Sequence, residues 1–291
     1  MSGDNEVDTC CASCGIAGID DIKLVPCDDC DLVRYCSDEC QNNHKPEHEE
    51  DCKRRAAELR DELLFKQPES RHLGDCPICS LPLPLDRSKS AMWACCSKIL
   101  CLGCEYACLR LQHACPFCRD PAPSTDEEIA KLLVKRIEAS DPEAICQEGG
   151  LQKMKGNYAR AIEYFTKAAE LGNPEGHYRL AGMYYYLGQG VEMDKGKYTH
   201  HLEEAAIAGH PDARYDLGIH EWNNAGKERA AKHWIIAATL GEDKSIKELM
   251  KLFKEGYVKK EDLASALRAH HAAVDATKSP ERDRAEETVS E

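Results

Sequence analysis

The sequence predicts a multi-domain fold in which two small cysteine-rich units are followed by an all-α solenoid of helix-pair repeats. Of the 18 cysteines among the 291 residues, 17 fall between Cys10 and Cys118, and only Cys146 lies beyond them. The cysteine-poor part repeats instead. An Ala-Ala-x-x-Gly pattern begins at Ala168, returns after 37 residues and returns again after a further 32. Periods of this length are typical of helical solenoids.

The predicted segments follow one another as the composition changes. They are a flexible tail (1–9), a first cysteine cluster (10–52), a helical connector (53–70), a second cysteine cluster (71–120), a linker with a helix (121–140), the helical repeats (141–276) and a disordered tail (277–291). In the connector, Ala56, Leu59 and Leu63 recur at helical spacing before Pro68 closes the stretch.

The linker helix has two candidate capping boxes at its start. One is Ser124-x-x-Glu127 and the other is Thr125-x-x-Glu128, and in either case the hydroxyl would accept a bond from a first-turn backbone N–H. The apolar residues that follow would share one face of the helix: Ile129, Leu132, Leu133 and Ile137.

The charge of the chain argues against a nucleic-acid partner. The net charge is −14, and residues 1–52 carry three basic against fourteen acidic side chains, whereas phosphate backbones need a basic surface. The N-terminal residues lack the apolar run of a secretory signal, and no stretch approaches the roughly 20 apolar residues of a membrane span. We therefore expect no membrane association and a reducing compartment, the cytoplasm and/or the nucleus. There, cysteines bind metal rather than form disulfides.

The first cysteine cluster offers eight ligands, enough for two tetrahedral zinc ions. Their spacing is Cys11-x-x-Cys14, Cys27-x-x-Cys30, Cys36-x-x-x-Cys40 and His48-x-x-x-Cys52. A three-residue gap on a helical turn places both members of a pair on one face. Cys10 is an alternative to Cys11, and His44 is an alternative to His48.

The motifs Tyr35-Cys36-Ser37-x-x-Cys40-Gln41 and Pro46-Glu47-His48-x-x-x-Cys52 give residues 11–52 a close resemblance to the MYND-type zinc finger. The resemblance implies interleaved sites, in which Cys11, Cys14, Cys36 and Cys40 hold one zinc ion and Cys27, Cys30, His48 and Cys52 hold the other. It also implies a shallow groove for proline-rich peptides. Gln41 matches the glutamine of that groove, and Lys45 stands where the family usually has tryptophan.

The second cluster contains eight cysteines, which are Cys76, Cys79, Cys95, Cys96, Cys101, Cys104, Cys115 and Cys118. It resembles a RING-type zinc finger over residues 76–119. The cross-brace of that family would give Cys76, Cys79, Cys101 and Cys104 to one zinc ion, and Cys96, Cys115 and Cys118 to another. Both clusters together would then hold four zinc ions.

The fourth ligand of the last site departs from the family pattern. Lys98 stands at the family's histidine, and an ammonium group cannot ligate zinc because ligands must be deprotonated. Cys95 is the expected replacement, provided that a turn aims two adjacent sulfurs inward. His113 and an incomplete site are the alternatives.

RING-type fingers recruit a ubiquitin-conjugating enzyme through an apolar saddle. By resemblance, Ile78 in the first cysteine pair and Pro116 in the last pair supply contacts, and Arg119 bridges the enzyme and ubiquitin. Cys108 stands where a tryptophan is common.

The repeat unit at 174–210 contains Gly188-Gln189-Gly190-Val191-x-x-Asp194-x-x-Lys197 before its Ala-Ala-x-x-Gly turn. This pattern resembles the Sel-one-like repeat, a tetratricopeptide-type helix pair used for protein scaffolding, over about residues 141–276. The turn glycines suit a left-handed helix end, and Pro142, Pro174 and Pro211 suit the first turn of the next helix.

Two functions are compatible with these features. One is a RING-type ubiquitin ligase that recruits a ubiquitin-conjugating enzyme and selects protein or peptide substrates through the MYND-type finger and the repeats. The other is a non-catalytic scaffold that binds proteins through all three modules. The sequence alone leaves open whether the chain is an enzyme.

Overall fold

Fingers and helices follow one another in the predicted order in the computed structural model, which describes residues 10–19, 22–111, 114–185, 192–224 and 226–290, without the side chains of 289 and 290. The predicted tail at 1–9, the alternative ligand His113 and the segment 188–191 lie outside the described residues. The chain forms two units, Met1–Lys66 and Gln67–Glu291.

The first unit combines a two-stranded ribbon with one long helix. Strand β1 (Val25–Pro26) pairs antiparallel with β2 (Arg34–Tyr35), and α1 (Asp38–Leu64) follows. Ser37 starts the helix, because its hydroxyl accepts a hydrogen bond from the backbone N–H of Cys40. Helix α1 therefore runs through the expected boundary between finger and connector and ends before Pro68.

The second unit begins with another finger, built on a hairpin and a short helix. Strand β3 (Ser90–Trp93) pairs antiparallel with β4 (Lys98–Cys101), and α2 (Leu102–Leu111) follows directly. Leu83, Trp93 and Leu100 are buried together with three of the cysteines. This finger is too small for a large core, so its stability depends on interactions other than its own apolar packing.

Helices fill the rest of the second unit. Their bounds are α3 (Asp126–Glu138), α4 (Pro142–Met154), α5 (Tyr158–Glu170), α6 (Pro174–Tyr185), α7 (Lys195–Ile207), α8 (Pro211–Asn224), α9 (Lys227–Thr239), α10 (Asp243–Lys254), α11 (Lys260–Asp275) and α12 (Pro280–Ser290). Helix α4 packs on α5, α6 on α7 and α8 on α9, while α10 and α11 both pack on α9. The all-α solenoid of helix pairs is the architecture that the repeat period predicts.

The Ala-Ala-x-x-Gly pattern closes three helices with the same turn. Gly172, Gly209 and Gly241 have φ of 82°, 82° and 91°, the left-handed conformation that glycine adopts without strain. The residue after each glycine donates its N–H to the carbonyl of the first alanine of the pattern, at 2.9, 3.0 and 3.0 Å. This is a Schellman motif, which ends the helix and turns the chain into its partner.

Close helix packing explains the small residues inside the solenoid. Ala168, Ala205 and Ala237 are fully buried. At Gly218, an added Cβ would lie 2.2 Å from the ring nitrogen of Trp234, so only glycine lets α8 approach α9 this closely. Close-packed interiors of this kind tolerate few changes in side-chain volume.

Of the two candidate capping boxes at α3, the structure contains the one at Thr125. Its hydroxyl accepts from the N–H of Glu128, and the Glu128 carboxylate accepts from the N–H of Ser124. Along the helix, Leu133 is buried but Ile129 is 42% exposed, so the predicted apolar face is only partly covered.

The end of the described chain differs from the expectation of a disordered tail at 277–291. Residues Pro280–Ser290 form α12, which packs on α2 of the second finger. Ala285 and Arg282 of α12 are buried. The segment is polar by composition and folds because the finger supplies the surface that it covers.

Leu63 also differs from the expected pattern, since it is 53% exposed while its neighbour Leu64 is buried.

Among the described helices, none combines the length and the apolar character needed to cross a membrane.

Candidate metal centres

Four of the five Cys-x-x-Cys pairs, all except Cys101-x-x-Cys104, form the same tight turn, which we call a knuckle. In each one, the residue after the second cysteine donates its N–H to the carbonyl of the first cysteine, and it has a positive φ. These residues are Gly15 (2.9 Å, φ 75°), Asp31 (3.3 Å, φ 56°), Ser80 (2.8 Å, φ 55°) and Arg119 (2.9 Å, φ 63°). The reversal of the chain brings the two sulfurs of a pair to one side.

The first centre gathers the sulfurs of Cys11, Cys14, Cys36 and Cys40. Sγ of Cys36 lies 3.6 Å from Sγ of Cys14 and 3.6 Å from Sγ of Cys40. Cys36 lies just before the start of α1 rather than on it, and the helix N-terminus carries Cys40.

The second centre gathers Cys27, Cys30, His48 and Cys52. Nε2 of His48 lies 3.1 Å from Sγ of Cys30, and the sulfurs of Cys27 and Cys52 are 3.8 Å apart. His48 and Cys52 lie one turn apart on α1, which therefore contributes ligands to both centres of the first finger.

The third centre gathers Cys76, Cys79, Cys101 and Cys104, and Sγ of Cys79 is 3.8 Å from Sγ of Cys101. One knuckle supplies the first pair. The end of β4 and the first turn of α2 supply the second.

The fourth centre gathers Cys95, Cys96, Cys115 and Cys118. The turn between β3 and β4 makes this possible, because the N–H groups of Cys96 and Ser97 both donate to the carbonyl of Trp93, at 3.1 and 2.8 Å. Ser97 has a φ of 55°. The tight turn brings both adjacent sulfurs to the site, where Sγ of Cys96 lies 3.6 Å from Sγ of Cys115.

These distances fit zinc. A tetrahedral ion with Zn–S bonds of about 2.3 Å requires sulfurs about 3.8 Å apart. The observed separations of 3.6 to 3.8 Å are close to this value and far longer than a disulfide bond. Each centre offers four ligand atoms and no open position, as structural zinc sites do. The chain binds several zinc ions.

In two of the knuckles the backbone favours the thiolate of the first cysteine, the form that a metal requires. Burial alone would raise the pKa of Cys11 and Cys76, but backbone N–H groups outweigh it and lower the pKa to about 6 and about 7. For Cys76 the donors include the N–H groups of Cys79 and Ile78, which belong to the knuckle itself.

The structure separates the alternative ligands of the first finger from its centres. Cys10 forms a β-bridge with Ala17 and lies outside the first centre, where Cys11 stands. Nδ1 of His44 lies 3.0 Å from the hydroxyl of the buried Tyr35, and its ring stacks on His48. His44 thus supports a ligand rather than acting as one.

The candidate partner-binding residues lie on the surface of their knuckles or beside them. Ile78 is 43% exposed, and Pro116 and Arg119 are exposed. Gln41 is half-buried and lines a groove of about 180 Å³ together with Asn42 and Lys45. Cys108 is also half-buried, and the pKa of its thiol is raised by burial.

Arg282 of α12 is a supporting residue that the sequence did not reveal. Its buried guanidinium donates to the carbonyls of Leu81, Pro82 and Thr277, and lies 3.4 Å from Sγ of Cys79. Groups that bond to metal ligands orient them and tune the metal. The C-terminal helix therefore forms part of the surroundings of the third centre.

A further group of ligand-type side chains is paired in another way. His72, Glu175 and His210 lie together, but the imidazoles stack face to face at 4.0 Å and Glu175 is bonded to Arg87 and Arg179, both at 2.6 Å. With both carboxylate oxygens bound to guanidinium groups, this cluster is an ion-pair network between the second finger and the repeats.

Fold and centres together define a zinc-finger protein with a helical solenoid, a class built from protein-interaction modules. Residues 11–52 match the family model of the MYND finger, and this part of the chain is a MYND finger.

Two solved structures are similar to the helical part. One is c5321, a protective antigen present in uropathogenic Escherichia coli strains that displays an SLR fold. It has 23% sequence identity and a TM-score of 0.44, over 51% of this chain and 34% of that chain. The other is a Sel1 repeat protein from Oxalobacter formigenes, with 25% identity and a TM-score of 0.45, over 54% of this chain and 67% of that chain. The match thus spans about a third of the c5321 chain.

Proposed function

We propose that the second finger is a RING-type module that recruits a ubiquitin-conjugating enzyme, while the MYND finger and the repeats select protein substrates. Such a module has no covalent site. It acts by holding a charged conjugate near a substrate lysine, which is catalysis by proximity.

The exposed knuckle of the third centre carries this proposal. Ile78 is a large apolar side chain, 43% exposed, at the tip of a turn that two zinc ligands hold in place. Phe117, in the knuckle of the fourth centre, is 39% exposed beside the exposed Pro116. Apolar side chains fixed on rigid turns are suited to a protein interface, because little conformational entropy is lost on binding.

The packing of α12 is compatible with such an interface. Helix α12 covers α2 at Gly103, where an added Cβ would lie 2.9 Å from the backbone nitrogen of Arg282. Leu111, at the other end of α2, is 81% exposed. The C-terminal helix therefore supports the finger and leaves apolar surface on it free.

A non-catalytic scaffold is the second candidate, and the extensive contact between the second finger and the repeats favours it. Arg71 donates to the carbonyl of Ala273 at 2.6 Å, and the N–H of His72 donates to the carbonyl of Gly209 at 3.1 Å. A finger tied to the solenoid in this way could serve only to cap it.

The zinc thiolates support the cytoplasm or the nucleus as the proposed location, since these compartments keep thiols reduced. The groove beside Gln41 supports peptide binding by the MYND finger, with the ammonium of Lys45 in place of an aromatic platform.

Substitution of Ile78 separates the two functions. In self-ubiquitination assays with a panel of conjugating enzymes, we expect transfer by the wild type and a loss of tenfold or more in Ile78→Ala, because interface anchors carry about 2 kcal/mol or more of binding. Zinc content and melting should not change.

Ile129→Ala is the matched control, since Ile129 is an isoleucine of nearly equal exposure on α3, and this variant should transfer ubiquitin normally. A wild-type protein inactive with every enzyme of the panel would leave the scaffold as the function. Loss of zinc in Ile78→Ala would make Ile78 a structural residue of the knuckle.

A further inference from the structure

A pocket opens where the second finger meets the first helices of the repeats. Its volume is about 470 Å³. The finger contributes Arg87, from the short 3-10 turn before β3, and α4 and α6 contribute most of the remaining wall. Arg87 therefore joins the wall only when the finger is docked on the repeats.

Positive charge is in excess in this pocket, although the whole chain carries −14. Three cations line it, Arg87, Lys153 and Arg179, against the carboxylates of Glu143 and Glu175. Arg87 and Arg179 bond to different oxygens of Glu175.

Lys153 is the cation that remains. Within the described part of the chain it forms no ion pair, and burial together with the positive charge of Arg179 lowers the pKa of its ammonium. The carboxylate of Glu143 already has partners, because it accepts from the side-chain amide of Asn173 at 3.1 Å and lies 3.9 Å from Arg87. An anion entering the pocket would relieve this repulsion between Lys153 and Arg179.

The rest of the pocket is apolar and roomy. Leu151, Met154 and Tyr158 line one side, and Met154 is 86% exposed. An added Cβ at Gly150, also in the lining, would meet no atom within 4 Å, so the helix surface is bare there. The thiol of Cys146 is buried and its pKa is raised by burial, which makes it part of the wall rather than a nucleophile.

We propose that this pocket binds an acidic peptide segment of a partner protein. A carboxylate of the peptide lies among Lys153, Arg179 and Arg87, and a neighbouring apolar side chain rests on Met154 and Tyr158. The two chemistries match the two halves of the wall, and a carboxylate accepts charge-assisted hydrogen bonds from both guanidinium and ammonium groups. This binding does not require ubiquitin transfer, so either proposal can fail without the other.

Two matched dodecapeptide libraries test the proposal against the full-length, zinc-loaded chain. Both have randomised apolar flanks, and the central pair is Glu-Glu in one library and Gln-Gln in the other. We expect enrichment of Glu-Glu peptides. The affinity of the best of them, measured by fluorescence anisotropy, should fall about tenfold or more in Lys153→Glu, since charge reversal replaces attraction by repulsion.

Gly150→Phe is a second variant that keeps every charge. The backbone has room for its Cβ, and its ring should occupy the pocket and lower the affinity by a similar factor. Lys155→Glu is the matched control, because Lys155 is the exposed C-cap of α4 outside the pocket and its substitution should leave binding unchanged. Circular dichroism and melting verify that each variant is folded.

Equal enrichment of the two libraries would overturn the proposal, as would binding that Gly150→Phe leaves intact. Peptides that bind only when the central pair is phosphoserine would assign the pocket to a phosphate rather than a carboxylate, and this too would overturn it.

Discussion

At the scale of single residues, the four positions that follow the knuckles share one backbone conformation but not one side chain. Gly15 adopts a positive φ freely, whereas Asp31, Ser80 and Arg119 adopt it against the preference of L-residues. Left-handed backbone costs a non-glycine residue roughly 1 kcal/mol. Under the proposed function, the exposed side chain of Arg119 serves ubiquitin transfer rather than folding.

Arg119→Gly tests this use without a structural penalty. Glycine suits the φ of 63°, and the N–H that bonds to the carbonyl of Cys115 is preserved. We expect unchanged zinc content, a melting temperature equal to or slightly above that of the wild type, and ubiquitin transfer reduced about tenfold. Ser80→Gly is the control in the other knuckle and should transfer normally. Full activity in Arg119→Gly would show that the guanidinium has no part in transfer.

His72 is a buried histidine whose charge state affects stability. Its side chain is only 6% exposed, and neither ring nitrogen has a hydrogen-bond partner among the described residues. Burial and the neighbouring His210 lower its pKa to about 2, against the opposing attraction of Glu175 at 3.8 Å; the charge of Arg87 acts in the same direction as burial.

Acid should therefore destabilise the second unit through His72. Above its unfolded pKa of 6.5 the imidazole is neutral in both states, and its contribution is fully present. As the pH falls from 6.5 towards 2, only the unfolded chain takes up the proton, so stability is lost. Between pH 7 and pH 5 this loss is up to about 2 kcal/mol.

His72→Phe should reduce the slope of stability against pH over this range, since phenylalanine keeps the ring stack on His210 and removes the titrating group. Denaturant midpoints at several pH values measure the slope. His271→Phe, on an exposed histidine, should leave it as in the wild type. Identical slopes in wild type and His72→Phe would mean that His72 is protonated in the folded state.

At the scale of elements, helix caps and their partners decide which segments are ordered. Asn173, His210 and Glu242 follow the three turn glycines, and each accepts a hydrogen bond from the first turn of the next helix. Three chemically different residues thus cap the helices in the same way. For this reason the glycines reveal the repeat in the sequence, whereas the capping residues do not.

Helix α12 is the element whose removal should matter most to the second finger. Arg282→Met removes donors to three carbonyls and to Cys79, and it should lower the stability of the second unit by about 2 kcal/mol or more, since buried carbonyls lose their partners. Zinc should pass more readily from the third centre to a chelator, as followed with a colorimetric zinc indicator.

Arg284→Met is the control, because Arg284 lies on the exposed side of the same helix and bonds to Pro280 and Glu281. A chain ending at Ser279 should behave like Arg282→Met. If that truncated chain keeps both its stability and its zinc, then α12 contributes nothing to the finger.

At the scale of the whole molecule, metal content and helical structure are linked through the second unit. Four centres with four ligands each lead us to expect four zinc ions per chain by native mass spectrometry. In small fingers structural zinc contributes on the order of 10–16 kcal/mol of binding free energy, so the fingers should unfold when it is removed.

The repeats should remain helical under the same treatment, because α4 to α11 contain one cysteine and bury their own apolar cores. After strong chelation we expect most of the helical circular dichroism signal to persist, with a lower melting temperature once the contacts of Arg71, Arg87 and Arg282 are lost. Intramolecular disulfides in place of zinc, in protein kept under reducing conditions, would refute the zinc assignment.

The sequence by itself predicted the candidate ligands, the repeat period and the order of the modules. A knuckle is formed by a few consecutive residues, so the spacing of the cysteines is enough to predict it. The Ala-Ala-x-x-Gly turn is predictable for the same reason. The same spacing could name Cys95 as an expected ligand. It could not show the Trp93 turn that brings two adjacent sulfurs to one centre.

Only the tertiary structure decided how the second finger, the repeats and the C-terminal helix combine. Residues 277–291 are polar, and nothing in their composition reveals that Arg282 reaches the carbonyls of Leu81 and Pro82, some 200 positions earlier. The pocket at Lys153 likewise depends on Arg87, which only docking of the finger brings to it. Contacts between residues distant in sequence leave no periodic signal in a single chain, because each partner satisfies only its own local rules until the fold brings the two together.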